Sequence, residues 1–337
     1  MGTLRFILAL LVLLSHVGLS VASLNPGVVA VVVFYAISGY VMSGLIQSYY
    51  GDPGQTGRFY IDRFFRLYPQ YAIYALFTAL WWLLSGRDTA FLQHSPSGAD
   101  FVRNLTVIPL NLFMFNSADK FTLIPPAWSL GAEVMFYAVA PFMWRHVRLA
   151  VALAVVSLGV QSMAWLGVLN SDWWGYRLLP GVFWIFVGGM ALHRMRAYDS
   201  GAAWRLAVTI SFLACLVAFL LWRTGLLAAP YHREVLLGAG LGFPLLVLLT
   251  QPRPSDMVRR WHGFEKIDEL LGNLSYGIFL NHFLIIWILE LDLLTPSVLS
   301  SDQMVWLVMA SVLASTVTYY FVEYPAKLFR RRWRRTG

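Results

Sequence analysis

The sequence predicts an all-α integral membrane protein with about ten transmembrane helices. Of its 337 residues, 58% are hydrophobic and only 12% are charged, whereas a soluble domain is about half apolar and about a quarter charged. Apolar windows of about 20 residues follow one another along the chain, and basic residues gather between alternate windows. This composition excludes a disordered chain and a soluble nucleic-acid-binding protein, and the single cysteine excludes a disulfide-stapled secreted domain.

Ten windows are long enough for a helix to cross the hydrocarbon core. They lie at about residues 6–22, 27–47, 67–85, 127–144, 149–169, 178–193, 206–222, 235–250, 272–289 and 304–322. The first is predicted to be a span rather than a signal peptide, because a second span follows at once and His16 would be unusual in a signal peptide. The stretch 102–116 carries Arg103 and Pro109, so we expect an interfacial or re-entrant element there.

The basic residues orient this bundle. Ten spans put both termini on one side, and 19 of the 25 basic residues then share that side. The positive-inside rule predicts that this side is the cytoplasmic side. The 19 residues are Arg5, Arg58, Arg63, Arg66, Arg145, Arg148, Arg194, Arg196, Arg205, Arg253, Arg259, Arg260, Lys266, Lys327, Arg330, Arg331, Arg332, Arg334 and Arg335. The basic tail is expected to rest on anionic lipid head groups and needs no nucleic-acid partner.

The domain organisation is expected to be simple. We predict one membrane domain over residues 1–337 with no appended soluble domain. The outer segment 86–126 is long enough to shape a substrate entrance.

Ionisable side chains inside hydrocarbon are costly, and so each is a candidate functional residue. His16 lies mid-way along the first predicted span, Glu133 in the fourth and His282 in the ninth, whereas Glu323 lies near a helix end and is expected to reach water. Arg5 and His16 are 11 residues apart, which puts them on one helix face with an axial separation of roughly 16 Å. A long substrate with an anionic head could contact both. Alternatively, Arg5 anchors the helix at the lipid heads and His16 is a buried hydrogen-bonding residue.

Arg63 and Arg66 precede the third window and share a helix face at spacing i, i+3. Two guanidinium groups one turn apart suit a cluster of phosphates, because each can bind a pair of oxygens. The alternative is that both are positive-inside charges, with Asp62 neutralising one of them.

The fourth window opens with two prolines, an interfacial tryptophan and a serine, Trp128 and Ser129, and Glu133 follows one turn later. The alternative to a functional site is an interfacial anchor with a structural Ser–Glu pair. Glu133 argues against that alternative, since a buried carboxylate needs a partner or a proton.

Several known catalytic patterns are absent from the sequence. It has no HExxH, Walker A or G-x-S-x-G motif and no set of residues with metal-ligand spacing, so we expect no metal. Position 21 is Val, which argues against the H-x4-D arrangement of phospholipid acyltransferases.

Six segments, in order along the chain, resemble the motifs of acyltransferase family three, multispanning enzymes that acylate surface polysaccharides, lipopolysaccharide and other acceptors. Residues 5–16 resemble its basic-residue, ten-spacer, histidine motif, residues 33–42 its FFxxSGY stretch, and residues 63–66 its R-x-x-R pair. Residues 128–137 resemble its WSLxxExxFY run, residues 274–282 its SYGIYLxH segment, and residues 321–325 its closing E-x-P. One departure is Val32, where many members carry an acid; if that acid polarises the histidine, Glu133 is the candidate to replace it.

The resemblance implies a donor and a set of roles. Acyl-CoA, used from the cytoplasm, is the expected co-substrate, with acetyl as the expected acyl group. A surface or exported glycan, or a lipid-linked glycan, is the expected acceptor. Arg5, Arg63 and Arg66 would bind the CoA phosphates, with the thioester beside His16, and Glu133 would assist. His16 would act as general base on an acceptor hydroxyl or as nucleophile in an acyl-imidazole relay. The substrate-binding residues implied are Trp128, Ser129, Tyr137 and His282.

Two other function classes, a transporter and a scaffold, fit part of the same pattern. A proton-coupled transporter also needs a buried histidine and carboxylate, and it would rank first without the resemblance. Its relay does not need a cytoplasmic arginine pair, and the paired, interrupted hydrophobic segments typical of such transporters are not evident. A non-catalytic scaffold or lipid-binding protein would leave His16 unexplained.

Overall fold

The computed structural model describes residues 1–251, 262–291 and 300–335. These residues are mostly helical, and the pairing of extended backbone among them is limited to isolated bridges, so the all-α prediction is confirmed. The helices are α1 (Gly2–Ser15), α2 (Pro26–Tyr49), α3 (Thr56–Ser85), α4 (Gly98–Thr106), α5 (Ile108–Asn111), α6 (Phe113–Asn116), α7 (Ala127–Arg145), α8 (Val147–Trp165), α9 (Leu179–Tyr198), α10 (Ser200–Arg223), α11 (His232–Thr250), α12 (His262–Ile288), α13 (Ser301–Thr318) and α14 (Tyr324–Arg335). Single π-helical turns occupy Trp173–Arg177 and Tyr319–Glu323.

Each of the ten apolar windows overlaps a helix. Within the described residues, seven helical segments are long and apolar enough to cross a membrane: Pro26–Tyr49, Val147–Trp165, Trp173–Tyr198, Ser200–Arg223, His232–Thr250, Phe264–Ile288 and Ser301–Arg335. Helices α1, α3 and α7 are not among the seven. Residues 102–116 are divided among the short helices α4, α5 and α6, in agreement with the prediction that this stretch is not a span. Arg253, Arg259 and Arg260, which entered the charge count, lie outside the described residues.

The first helix begins earlier and ends much earlier than the window 6–22 predicted. It covers Gly2–Ser15, and His16 is its C-cap rather than its midpoint. Gly18 follows with a φ of 91°, a conformation that glycine adopts without strain and that ends a right-handed helix. The apolar residues beyond it therefore belong to the connection to α2. At about 1.5 Å per residue, α1 is roughly 21 Å long, shorter than a hydrocarbon core of about 30 Å.

By its contacts the chain divides into two compact units. Unit 1 comprises Met1–Ser48 and Phe142–Ser275, and unit 2 comprises Tyr49–Pro141 and Tyr276–Gly337. The expectation of a single domain stays a prediction.

Small residues set the helix packing of unit 1. A Cβ on Gly39 would lie 1.9 Å from the carbonyl oxygen of Phe186, and a Cβ on Gly189 would lie 2.1 Å from the carbonyl oxygen of Ala36. Each distance is far below van der Waals contact, so α2 and α9 approach this closely only because these positions are glycine. The glycine of the SGY segment is therefore explained by packing.

The start of α1 is held by a carboxylate of α12. Asp268 accepts hydrogen bonds from the backbone N–H groups of Gly2 (3.0 Å) and Thr3 (2.8 Å) and from the Thr3 hydroxyl (2.8 Å). These donors have no partner within the helix, so the carboxylate acts as a cap supplied from elsewhere in the fold. A Cβ on Gly2 would lie 1.6 Å from the Asp268 carbonyl oxygen. The helix that carries Arg5 and His16 is thus fixed at its first turn.

In unit 2 the long segment 86–126 packs against helices α3 and α7. The buried side chain of Asn104 donates to the carbonyl oxygens of Asp100 and Phe121 and accepts from the backbone N–H of Leu123. The Tyr71 hydroxyl of α3 donates to the Asn104 carbonyl oxygen at 2.7 Å. The segment is therefore tied to α3 through one buried asparagine.

Candidate functional site

Helix α1 presents the arginine and histidine of the first motif within unit 1. Its buried residues include Leu8, Ala9, Val12 and Leu13, whereas Arg5 is half-buried and His16 is exposed. The prediction that His16 lies buried mid-way along a span is wrong, because the helix ends one residue before it. Arg5 and His16 are still separated by about 16 Å along one helix, as their spacing predicts. An exposed imidazole at a helix end is open to a substrate, as a base or a nucleophile has to be.

The position that the resemblance assigns to an acid is an apolar helix contact here. Val32 of α2 is fully buried, and a Cβ on Gly238 of α11 would lie 2.7 Å from the Val32 Cβ. An acidic side chain at position 32 would be buried against α11, where a carboxylate is costly without a partner or a proton. In this chain that contact holds two helices of unit 1 together, and any polarising group for His16 comes from another position.

The second arginine of the R-x-x-R pair forms an ion pair in unit 2. The Arg66 guanidinium contacts the Glu323 carboxylate, and the two side chains are only 13% and 6% exposed. The expectation that Glu323 reaches water is therefore wrong: the π-helical turn at Tyr319–Glu323 directs this carboxylate inward. Burial by itself lowers the pKa of Arg66, but Glu323, followed by Tyr276, Tyr137 and Glu133, raises it above its ordinary value.

The first arginine of the pair is also mostly buried. Arg63 contacts the carboxylate of Asp62, whose side chain is fully buried, and its guanidinium carbon lies 5.8 Å from the centroid of the Tyr137 ring. Burial tends to raise the pKa of Asp62, but Arg63, assisted by Arg330 and Arg334, outweighs it and lowers that pKa to about 2. Asp62 is therefore ionised at neutral pH and neutralises part of the local positive charge.

Glu133 lies half-buried on α7 and accepts a hydrogen bond from the Tyr137 hydroxyl one turn later. Glu133 belongs to unit 2 and His16 to unit 1, so its assistance to the histidine stays a prediction. Tyr137 itself is buried, and the guanidinium carbon of Arg63 lies 5.8 Å from the centroid of its ring. The substrate-binding role of Tyr137 stays a prediction; in the structure its hydroxyl bonds a carboxylate and its ring lies beside an arginine.

Four of the six motif segments meet in unit 2. Arg66 of the R-x-x-R pair contacts Glu323 of the E-x-P segment, and its guanidinium carbon lies 5.1 Å from the ring centroid of Tyr276 in the SYGIYLxH-like segment. The Tyr276 hydroxyl in turn donates to the carbonyl oxygen of Leu67 at 3.0 Å. With Tyr137 of the WSLxxExxFY-like run beside Arg63, segments distant in sequence form one basic and aromatic cluster. Sequence order alone does not reveal these pairings.

The remaining predicted substrate-binding residues have structural partners. The Ser129 hydroxyl donates to the carbonyl oxygen of Pro126 at 3.0 Å and so helps to start α7. The half-buried Trp128 accepts a hydrogen bond from Asn111 on its carbonyl oxygen at 3.0 Å. His282 is fully buried on α12, with Nδ1 3.1 Å from the carbonyl oxygen of Ile278. A substrate would reach His282 only if the surrounding helices moved apart.

Sequence reasoning missed two arginines of the tail. Arg330 and Arg334 of α14 both donate to Asp62, through Nε at 3.2 Å and 2.9 Å respectively. The prediction that the whole basic tail rests on lipid head groups therefore does not hold for these two residues. The i, i+4 spacing of these arginines, beside an equally spaced aromatic pair at Phe329 and Trp333, was the available signal that one face of this helix packs on protein.

Comparison with known proteins supports the sequence resemblance. The family described as "Acyltransferase domain" matches residues 2–322. An uncharacterised protein of Aquifex aeolicus (strain VF5) is 37% identical over 194 residues, which cover 56% of this chain and 82% of that protein. A putative peptidoglycan O-acetyltransferase of Bacillus subtilis (strain 168) is 24% identical over 336 residues, which cover 90% of this chain and 51% of that protein. No solved structure matches the chain.

The match covers nearly the whole chain and includes all the motif segments up to the start of the E-x-P. Together with the apolar helices long enough to cross a membrane, it favours an acyltransferase over a proton-coupled transporter or a non-catalytic scaffold. The chain belongs to acyltransferase family three and is a multi-pass membrane acyltransferase.

Proposed function

We propose that this protein transfers an acyl group, specifically acetyl, from cytoplasmic acyl-CoA to a hydroxyl of a surface or exported glycan. The observation that carries the proposal is the exposed His16 at the end of a helix that also bears Arg5, about 16 Å away along one face. The name of the Bacillus subtilis relative supports an O-acetyl product and a cell-wall glycan acceptor. This chain spans only 51% of that relative.

The proposed roles follow from the chemistry of the side chains. Neutral His16 has one ring nitrogen with a free lone pair, and that nitrogen takes the proton of the acceptor hydroxyl. The hydroxyl oxygen then bonds to the thioester carbon, the C–S bond breaks, and the thiolate leaves as CoA after receiving the proton from the imidazolium. In the relay alternative, the imidazole nitrogen bonds to the thioester carbon, the C–S bond breaks, and CoA leaves with the imidazole proton. The acceptor hydroxyl oxygen then bonds to the acyl carbon, the N–C bond breaks, and the hydroxyl proton returns to the imidazole.

Donor recognition is assigned to the arginines. Arg5, Arg63 and Arg66 are proposed to bind the phosphates of the CoA moiety, because guanidinium groups present paired donors that match phosphate oxygens. In unit 2, Arg63 and Arg66 already contact the carboxylates of Asp62 and Glu323. Binding of a phosphate therefore competes with these ion pairs, or uses the guanidinium edges that they leave.

The location follows the same proposal. Both termini and the Arg63 segment are placed in the cytoplasm, the segment 86–126 outside, and the protein in a plasma (bacterial inner) membrane among anionic lipids. Donor and acceptor would then approach from opposite sides.

The experiment uses the purified full-length protein in lipid nanodiscs with acetyl-CoA. We expect slow release of free CoA without acceptor and faster release, with O-acetyl ester formed, when peptidoglycan fragments or other cell-surface glycans are added. No CoA release with any acceptor, from protein that remains folded, would contradict the proposed donor. Rapid trapping of an acetylated His16 before acceptor is added would select the relay over direct transfer.

A further inference from the structure

The C-terminal helix α14 joins the arginine cluster of unit 2 through Asp62 of α3. The Asp62 carboxylate accepts from Arg63, from Nε of Arg330 at 3.2 Å, and from Nε and Nη2 of Arg334 at 2.9 Å and 3.0 Å. Three guanidinium groups thus converge on one carboxylate. The formal charge of these four residues is 3 − 1 = +2.

The burial of the four residues is uneven in a way that favours an anion. Asp62 is 0% exposed, whereas Arg63, Arg330 and Arg334 are 7%, 11% and 20% exposed. An ion that approaches the cluster meets the guanidinium edges and cannot reach the carboxylate. An excess positive charge that is largely removed from water is costly unless a counter-ion accompanies it.

Helix α14 is held in place by contacts that do not depend on this charge. The rings of Phe65 and Phe329 lie 4.5 Å apart, and the Arg58 guanidinium carbon lies 4.3 Å from the ring centroid of Trp333, whose indole Nε1 donates to the Arg58 carbonyl oxygen at 3.3 Å. Phe329 and Trp333 are spaced i, i+4 like Arg330 and Arg334, and they lie on an adjacent face of α14. The guanidinium groups are therefore positioned before any ligand arrives, which lowers the entropic cost of binding one.

We infer that Arg330 and Arg334, together with Arg63, form a binding site for a phosphate-bearing anion, and that this anion is the nucleotide end of the acyl-CoA donor. The inference rests on the proposed function for the identity of the donor, and it adds two residues and a helix to which no donor role has been given. Phosphate is the favoured chemistry because guanidinium groups present paired donors that match phosphate oxygens, and three of them converge here with a formal charge of +2. The head group of an anionic lipid carries the same chemistry, and the test separates the two sources.

The test measures equilibrium binding of CoA and 3′-dephospho-CoA to the full-length protein in phosphatidylcholine nanodiscs. Arg330→Gln and Arg334→Gln should each weaken CoA binding about ten- to a hundred-fold, the range for one lost charge-assisted contact. Arg332→Gln and Arg335→Gln are the matched controls, because both arginines are exposed on the same helix and the charge change is identical. We expect the controls to bind CoA within about twofold of the wild type. Equal CoA affinity in the wild type and in both cluster variants would overturn the inference.

A second variant keeps the inference testable if the arginine substitutions unfold the protein. Asp62→Asn removes the carboxylate that competes with the anion, so the folded protein should bind CoA at least as tightly as the wild type even though it melts at a lower temperature. If the cluster only joins α14 to α3, Asp62→Asn and the arginine variants lower the melting temperature together and leave the CoA affinity of the folded fraction unchanged. Weaker CoA binding by folded Asp62→Asn would contradict the inference that the Asp62 carboxylate competes with CoA for the guanidinium groups.

The lipid arm replaces phosphatidylcholine with phosphatidylglycerol. A melting temperature that rises with phosphatidylglycerol in the wild type but not in the Arg330/Arg334 double variant, with CoA affinity the same in both proteins, would assign the site to lipid and overturn the donor assignment. The proposed function fails separately, if the wild type neither binds acyl-CoA nor consumes it. If the wild type and the double variant bind CoA with the same affinity, the role of α14 in donor binding is overturned and the proposed function is not.

Discussion

Separating the buried Arg66–Glu323 pair provides a sharp test of how unit 2 is held together. The two side chains are 13% and 6% exposed, and removing one partner leaves an uncompensated charge largely out of water. Such single substitutions typically cost about 3–5 kcal/mol, whereas removing both partners costs much less. Arg66→Gln and Glu323→Gln should therefore each destabilise strongly, and the double variant should recover a coupling energy of at least about 1–2 kcal/mol.

The assay is thermal unfolding of the four proteins in nanodiscs, followed by intrinsic tryptophan fluorescence, with CoA binding measured on the same samples. Stability and donor binding should separate: the double variant should regain much of its melting temperature but not its affinity for CoA, because the second arginine of the R-x-x-R pair is still absent. Destabilisation of the double variant equal to the sum of the single effects would refute the coupling. Full recovery of CoA affinity would refute the donor role of Arg66.

Three further expectations follow from single contacts. Gly39→Ala should destabilise by about 1–3 kcal/mol, because its Cβ would overlap the Phe186 carbonyl oxygen, while Gly57→Ala, with no heavy atom within 4 Å of its Cβ, should be neutral or slightly stabilising in the same melting assay. The pKa of Asp62 is about 2 in the folded protein and 3.8 ordinarily, so its stabilising effect is present above about pH 4 and is lost as the pH falls toward 2; the melting difference from Asp62→Asn should shrink over that window. Cysteine introduced at position 95 should be labelled from outside intact cells, and cysteine at position 60 should not.

Each of these has a clear contrary outcome. Equal melting temperatures for the two glycine variants would remove the packing explanation of the SGY glycine. A melting difference that stays constant from pH 5 to pH 2 would contradict a paired, ionised Asp62. External labelling at position 60 would reverse the assumed orientation and, with it, the cytoplasmic donor.

The helices were predictable because apolar length is a local property of the sequence. Their ends were less predictable: hydropathy stays high over most of the window 6–22, yet α1 stops at Ser15 and Gly18 follows with a φ of 91°. Hydropathy reports burial and gives no backbone angles, so His16 was placed at the centre of a span that ends before it.

The residues of the candidate site were predictable by type but not by partner. The spacing of Arg63 and Arg66 indicated a phosphate site, yet Arg66 pairs with a carboxylate 257 residues away, and Asp62 pairs with Arg334, 272 residues away. Such pairings depend on how helices distant in sequence pack, which periodicity does not encode. The tail arginines also fit the positive-inside rule, so a count of basic residues could not reveal that Arg330 and Arg334 pair with Asp62.

The role proposed for His16 in the transfer is measured by single-turnover acyl transfer with His16→Ala. The matched control is His146→Ala, another exposed histidine of unit 1. The account predicts that His16→Ala binds CoA and melts like the wild type but forms no acylated acceptor, while His146→Ala transfers at the normal rate. Transfer at a near-normal rate by well-folded His16→Ala would contradict the account.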